Sequence, residues 1–128
     1  MLFESIHHIA IIGRNYNKTK EFYIEKLGFE IISEHHRVEK NDIIINVEKE
    51  NVVLEIFIKE DAPLRPPIPN PENTGLRHLA FKVKDVEKTL EEFDSLKIVH
   101  QGLRYDDFDG KKMAFFFDPD GLPLEIHE

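Results

Sequence analysis

Asp118-Pro119-Asp120-Gly121-Leu122-Pro123-Leu124-Glu125-Ile126-His127-Glu128 is a tight turn running into a short strand, with a carboxylate set between two aliphatics. Pro119 presets φ, and Gly121 supplies the positive φ that such a turn needs. Turn chemistry does not explain Glu125. Strand side chains alternate faces, so Glu125 points away from Leu124 and Ile126, toward water or toward something that needs a carboxylate. The same triplet stands earlier in the chain as Leu54-Glu55-Ile56. A shift of 70 residues overlays the two. It also lays His8 on His78, Ala10 on Ala80, and Lys18, Thr19 and Glu21 on Lys88, Thr89 and Glu91. In each half 47 positions separate the histidine from the glutamate (8 to 55, 78 to 125). Matching helix lysines are cheap, but a matched His and Glu at one spacing in both halves is not. A repeat of this kind determines the architecture.

Working outward from the repeat, Ile6 to Ile12 reads as a buried strand rich in β-branched residues. Gly13-Arg14-Asn15 breaks it. Tyr16 to Lys26 has helical spacing, with Tyr16, Phe22, Tyr23 and Leu27 on one face, and Gly28 ends the helix. Strands are predicted over Phe29 to Arg37, Ile43 to Val47 and Val52 to Ile58. Glu60 to Gly75, with Pro63, Pro66, Pro67, Pro69 and Pro71, reads as an extended connector that also holds Arg65 and Asn70. The second half repeats the order. It has a strand over Leu76 to Val83 and a helix over Asp85 to Leu96, with Asp85 as N-cap and Val86, Leu90, Phe93 and Leu96 as core. Strands follow over Ile98 to Arg104, Met113 to Phe117 and Leu122 to His127. Each half is therefore a βαβββ unit.

The bulk numbers exclude several function classes. A chain of 128 residues fits one compact domain or two small fused modules. A net charge of −8 repels a nucleic-acid backbone and an anionic membrane, so neither is expected as partner. Without cysteine there are no disulfides, thiolate metal sites or thiol nucleophile. No apolar run approaches the roughly 20 residues of a membrane span. Met1-Leu2-Phe3-Glu4 lacks a basic leader region, and a cytoplasmic location is expected.

His8, Glu55, His78 and Glu125 each lie beside aliphatics on the first or last strand of a module. Two imidazoles and two carboxylates form a mixed N/O donor set, suited to Ni, Zn, Co, Mn or Fe. A lone strand glutamate is ordinarily solvated. The coincidence of four such residues under one repeat outweighs that reading. The repeat aligns His8 with His78 and His7 with Arg77, so alternation turns His7 to the other face. His35 and His36 read as surface residues and His100 as structural. His127 shares the face of Glu125, as a support for the ligands or as a terminal residue. Phe57 shares the face of Glu55, and Phe115, Phe116 and Phe117 supply both faces of one strand, mostly for packing.

With these residues in place the chain resembles the vicinal oxygen chelate superfamily, and within it bacterial glyoxalase I-like (lactoylglutathione lyase-like) proteins. The likeness rests on His8-Ile9-Ala10-Ile11, Phe22-Tyr23 with Leu27-Gly28-Phe29, Leu76 to Phe81, and Asp118 to Gly121 running into Leu124-Glu125-Ile126. It implies an α+β fold in which two tandem βαβββ modules form a half-open mixed β-sheet barrel. One domain would span 1–128, with module one over about 4–59, the linker over 60–75 and module two over about 76–128. The resemblance implies His8, Glu55, His78 and Glu125 as ligands of one divalent metal per site. Glu55 separates this pattern from relatives that use two His and one Glu.

The implied activity converts the hemithioacetal of an α-oxoaldehyde and a thiol to a 2-hydroxy thioester, by proton transfer through a metal-bound ene-diolate. Glu125 or Glu55 is the implied base. A homodimer is also implied. Alternatives are another metal-dependent enzyme of the superfamily (dioxygenase, epimerase or thiol transferase) or a non-catalytic small-molecule binding or resistance protein. Bacterial glyoxalase I typically carries an Arg and an Asn for glutathione four positions after its first His and first Glu. Here those positions are Ile12 and Lys59, leaving Arg14, Lys59 or Arg77 to substitute.

Overall fold

A computed structural model describes residues 2–67 and 72–128. The chain divides into two units, Met1–Leu64 and Arg65–Glu128. Unit one holds β1 (Ile9–Gly13), α1 (Tyr16–Lys20) running into a π-helical turn over Glu21–Lys26, β2 (Glu30–Arg37), β3 (Asp42–Lys49) and β4 (Val52–Ile58). Unit two holds β5 (Leu79–Lys82), α2 (Val86–Ser95), β6 (Arg104–Tyr105), β7 (Lys112–Phe117) and β8 (Pro123–His127). Each unit makes one four-stranded mixed sheet. The orders, β1-β4-β3-β2 and β5-β8-β7-β6, are the same. In both, the first strand pairs parallel with the last, and the others pair antiparallel. The βαβββ reading of both halves therefore holds. Pro69, Asn70 and Pro71 of the connector lie outside the described residues.

The 70-residue shift survives as strand register. Ile9, Ala10 and Ile11 pair with Leu54, Glu55 and Ile56, and Leu79, Ala80 and Phe81 pair with Leu124, Glu125 and Ile126. Leu54, Ile56 and Ile58 are buried with Phe22 and Tyr23. Leu124 and Ile126 are buried with Val86, Leu90 and Phe93. Alternation turns Glu55 and Glu125 to the opposite faces of their strands.

The helices begin as their caps dictate. The Asn15 carboxamide accepts from the Lys18 backbone N–H at 2.9 Å, and the Asp85 carboxylate accepts from that of Lys88 at 3.0 Å. They end differently. Phe29 N–H reaches back six residues to Tyr23 C=O at 2.9 Å, whereas Ile98 N–H reaches five, to Phe93 C=O at 2.8 Å. The π-helical turn thus accommodates one extra residue in unit one. The left-handed residue that closes each helix is Gly28 in unit one (φ 80°) and Lys97 in unit two (φ 58°).

Several boundaries differ from expectation. β1 starts at Ile9 and is only half-buried, with Ile6 and Ile12 exposed. β1 and β5 are edge strands, each paired on one side only. Likewise β5 starts at Leu79, and Leu76 is exposed. The strand expected over Ile98 to Arg104 shrinks to Arg104–Tyr105, preceded by an isolated bridge from His100 to Phe116. Gly102 bends this segment at φ 82°, and its N–H donates to the His100 ring at 3.0 Å. Leu96 stays partly exposed rather than joining the core.

Asp42 is a buried carboxylate with two cationic partners. Arg37 donates to both its oxygens at 2.7 Å, and Lys59 donates to Oδ2 at 2.8 Å. These hydrogen bonds, Arg37 first and Lys59 second, hold the Asp42 carboxyl well below the usual carboxylate range. A depressed folded pKa contributes stability above the unfolded value of about 3.9, and that stability is lost as pH falls toward the folded value. The stability gap between wild type and Asp42→Asn is therefore constant at neutral pH and narrows below about pH 4. Thermal unfolding midpoints of both proteins between pH 7 and pH 2 measure this. A gap that stays constant down to pH 2 contradicts the assignment.

Candidate metal centre

The pairing of first and last strands sets one His–Glu pair in each unit. His8 immediately precedes β1, and His78 immediately precedes β5. Each lies two positions before the alanine that pairs with the glutamate, so imidazole and carboxylate converge on one end of the strand pair. In unit one, His8 Nε2 lies 3.9 Å from Glu55 Oε1. In unit two, His78 Nε2 lies 3.6 Å from Glu125 Oε1. Alanine beside each glutamate leaves room for the carboxylate. Glu125 is the more enclosed, its side chain 11% exposed against 28% for Glu55.

These separations exceed an N–H···O hydrogen bond of about 2.7–3.2 Å. Two donors each about 2.1 Å from one ion stand roughly 3.0–3.4 Å apart at octahedral or tetrahedral angles. Each pair faces across a gap slightly wider than that, with a neutral nitrogen lone pair and a carboxylate as the donor chemistry. The residues present therefore fit a divalent ion.

The surroundings of the two pairs differ. Asn46 pairs with Glu55 across the sheet, and its amide donates to the Ser33 hydroxyl at 3.0 Å. Phe115 pairs with Glu125 and meets the His78 ring edge-on, with centroids 5.2 Å apart. One pair thus has a polar neighbour and the other an aromatic one. Phe115 borders this pair in addition to packing, a role its consecutive placement with Phe116 and Phe117 did not reveal.

The other histidines sort by contact. The Nδ1 atoms of His7 and His8 lie 2.9 Å apart, one donating and one accepting. Both precede β1, so strand alternation does not separate them. His8 is nonetheless the one near Glu55. His35 and His36 are exposed, as expected for surface residues. His100 contacts the Asp94 carboxylate at 2.6 Å and accepts from Gly102, consistent with a structural role. His127 Nδ1 donates to the Glu128 backbone carbonyl at 2.7 Å, and its Nε2 lies 3.4 Å from carboxylate oxygens of both Asp106 and Asp109. The Glu128 carbonyl first, then Asp106, raises the His127 pKa against the opposing effect of burial. Backbone N–H groups of Phe108 and Asp109 hold Asp106 low. Asp106, Asp109 and His127 form a metal-compatible group that contains none of the four predicted ligands.

Two of the three cations considered for substrate, Lys59 and Arg77, are already engaged. Lys59 contacts Asp42, and Arg77 Nε donates to Glu72 at 2.6 Å. Sequence reasoning passed over a different feature. A pocket of about 460 Å³ opens beside His78 in unit two. Phe115, Phe117, Pro67 and Pro123 make its apolar wall, and Gln101, Arg77 and Arg104 supply its polar groups. Arg104 is near Phe115 in the folded unit although eleven positions away in sequence, which is why the spacing held no signal. No helix among the described residues is long and apolar enough to cross a membrane.

Comparison with known proteins bears on the fold as a whole. The family model for the Glyoxalase/Bleomycin resistance protein/Dioxygenase superfamily matches residues 5–126. An uncharacterised protein of Bacillus subtilis, YwkD, is 44% identical over 100% of this chain and 99% of its own. YaeR of Escherichia coli, also uncharacterised, is 40% identical over 98% of this chain and 96% of its own. The crystal structure of a glyoxalase family protein from Enterococcus faecalis is 55% identical, covers 100% of both chains and superposes with a TM-score of 0.93. With its repeat, its strand register and these full-length matches, the chain belongs to the Glyoxalase/Bleomycin resistance protein/Dioxygenase superfamily.

Proposed function

We propose that the protein is a metal-dependent glyoxalase I-like lyase. His8, Glu55, His78 and Glu125 hold a divalent ion, and the chain converts a hemithioacetal to a 2-hydroxy thioester. The observation that carries this reading is the repeated His–Glu pair, set at equivalent strand registers with donor atoms that face each other without hydrogen bonding. When bound, a divalent metal supplies Lewis acidity toward two adjacent substrate oxygens.

The remaining chemistry belongs to the side chains. Glu125, enclosed at the sheet face, takes the proton from the hydroxyl-bearing carbon and returns it to the neighbouring carbonyl carbon, while the hydroxyl proton passes to the former carbonyl oxygen. Glu55, its repeat counterpart, has the same chemistry for a substrate presented on its side. The Phe115 ring beside His78 limits water near the reacting carbon. As in the implied relatives, the working form is a homodimer in the cytoplasm, to be checked by sedimentation and by cell fractionation.

The test begins with metal analysis of protein purified without chelators. One divalent ion per chain is expected, lost on chelation and restored by Ni, Zn, Co, Mn or Fe. Methylglyoxal with several thiols then reports isomerisation by the reconstituted protein. Metal-free protein with no affinity for these ions defeats the reading. A second reading is another metal-dependent reaction on a substrate without glutathione. Ile12 and the engagement of Lys59 and Arg77 favour it, because the first glutathione-binding position is apolar here and two of the three substitute cations are occupied.

A further inference from the structure

We propose that Arg104 binds the anionic group of the substrate, a carboxylate or phosphate-type oxyanion seated in the pocket beside His78. The inference rests on the metal reading above and names the substrate class for the same site. Arg104 lies on β6, an edge strand, with its guanidinium 5.6 Å from the centre of the Phe115 ring. Phe115 in turn meets the His78 ring, so guanidinium, aromatic ring and imidazole form a continuous wall. Arg104 lines the pocket with His78, and among the described residues no carboxylate lies within ion-pair distance of it.

That isolation distinguishes Arg104 from the cations nearby. Arg77, on the same pocket, is neutralised by Glu72, and Lys112 is held by Glu87 at 2.6 Å. In a chain of net charge −8, carboxylates are abundant, yet among the described residues none is paired with Arg104. An uncompensated guanidinium stacked on an aromatic ring is preorganised for a planar or tetrahedral oxyanion, which it grips through two parallel N–H donors. Stacking on Phe115 limits the rotamers to be frozen on binding. Gln101 at the pocket supplies further hydrogen-bonding capacity, while Phe115 and Phe117 favour a short apolar stem between the anion and the reacting carbons. The substrate class is therefore a small acid whose anionic end lies on the Arg104 side and whose vicinal oxygens lie on the His78 side.

The full chain as purified is titrated calorimetrically at low ionic strength with inorganic phosphate and, separately, with pyruvate, in wild type, Arg104→Ala and Arg104→Lys. Saturable binding of one or both anions is expected, and which of them binds tells a phosphate from a carboxylate. Arg104→Ala weakens it by about 10- to 100-fold, the usual loss for a hydrogen bond to a charged group. Arg104→Lys, which keeps the charge without the fork, falls between the two. Circular dichroism checks that the exposed substitutions leave the fold intact. Binding of neither anion, or equal binding by wild type and Arg104→Ala, overturns the inference. Metal content is measured in the same samples. Full metal content without Arg104-dependent anion binding refutes this inference alone. Anion binding in protein that takes up no metal refutes the metal reading and leaves the anion subsite standing.

Discussion

Glu125→Gln is expected to lower hemithioacetal isomerisation by about 10²- to 10⁴-fold, the usual contribution of a positioned general base. The substitution keeps the shape and one ligating oxygen but removes the capacity to accept a proton at neutral pH. Glu125 sits on β8 between the paired strands β5 and β7, so Ala80 and Phe115 flank it across the sheet. Those neighbours fix its backbone, and its low exposure limits competition from bulk water. Glu55→Gln serves as the parallel variant, since Glu55 holds the equivalent register beside Ala10. Steady-state kinetics on metal-reconstituted protein, with metal content assayed in each sample, separate a base from a ligand. A variant that retains metal and loses turnover has lost its base. Unchanged turnover in both variants refutes a base role for either residue.

Phe116→Ala is expected to destabilise the protein by about 3–5 kcal/mol, the range for deleting a fully buried aromatic. Phe116 is 1% exposed, and its ring lies 4.7 Å from that of Phe93 on α2. The contact joins sheet to helix within unit two, and removal leaves a cavity that rigid β7 and β8 cannot close. Phe108→Ala is the comparison, because Phe108 is 99% exposed in the turn before β7 and a surface substitution stays within about 0.5 kcal/mol. Urea unfolding followed by circular dichroism reads both. Equal midpoints for the two variants would show that Phe116 does not anchor the core.

Much of this architecture was legible because the repeat couples distant positions. The shift relating His8 and Glu55 to His78 and Glu125 reappears as Ala10 paired with Glu55 and Ala80 paired with Glu125. Asp85 and Gly28 were readable because capping and left-handed closure are local chemistry. The strand starts were not, since Ile6 and Leu76 have strand composition whether or not a neighbour covers them. Nor was the π-helical turn, whose wider hydrogen bonds leave no mark on residue type. His7 and His8 defeated the alternation argument because it applies only inside a strand. Arg104 was invisible for a tertiary reason. Its role depends on which carboxylates reach Arg77 and Lys112, and on β6 lying beside β7.

The parallel pairing of first and last strand has a thermodynamic consequence. Each His–Glu pair is contributed by opposite ends of its unit, so it exists only once the whole unit has closed. The unfolded chain offers the donors singly, so under the proposed metal reading a bound ion favours the closed native unit. Under the proposed metal reading, folding and ion affinity are linked, and free ion at 100 times its dissociation constant adds about 2.7 kcal/mol of stability. Metal supply would then govern how long the protein survives as well as whether it works.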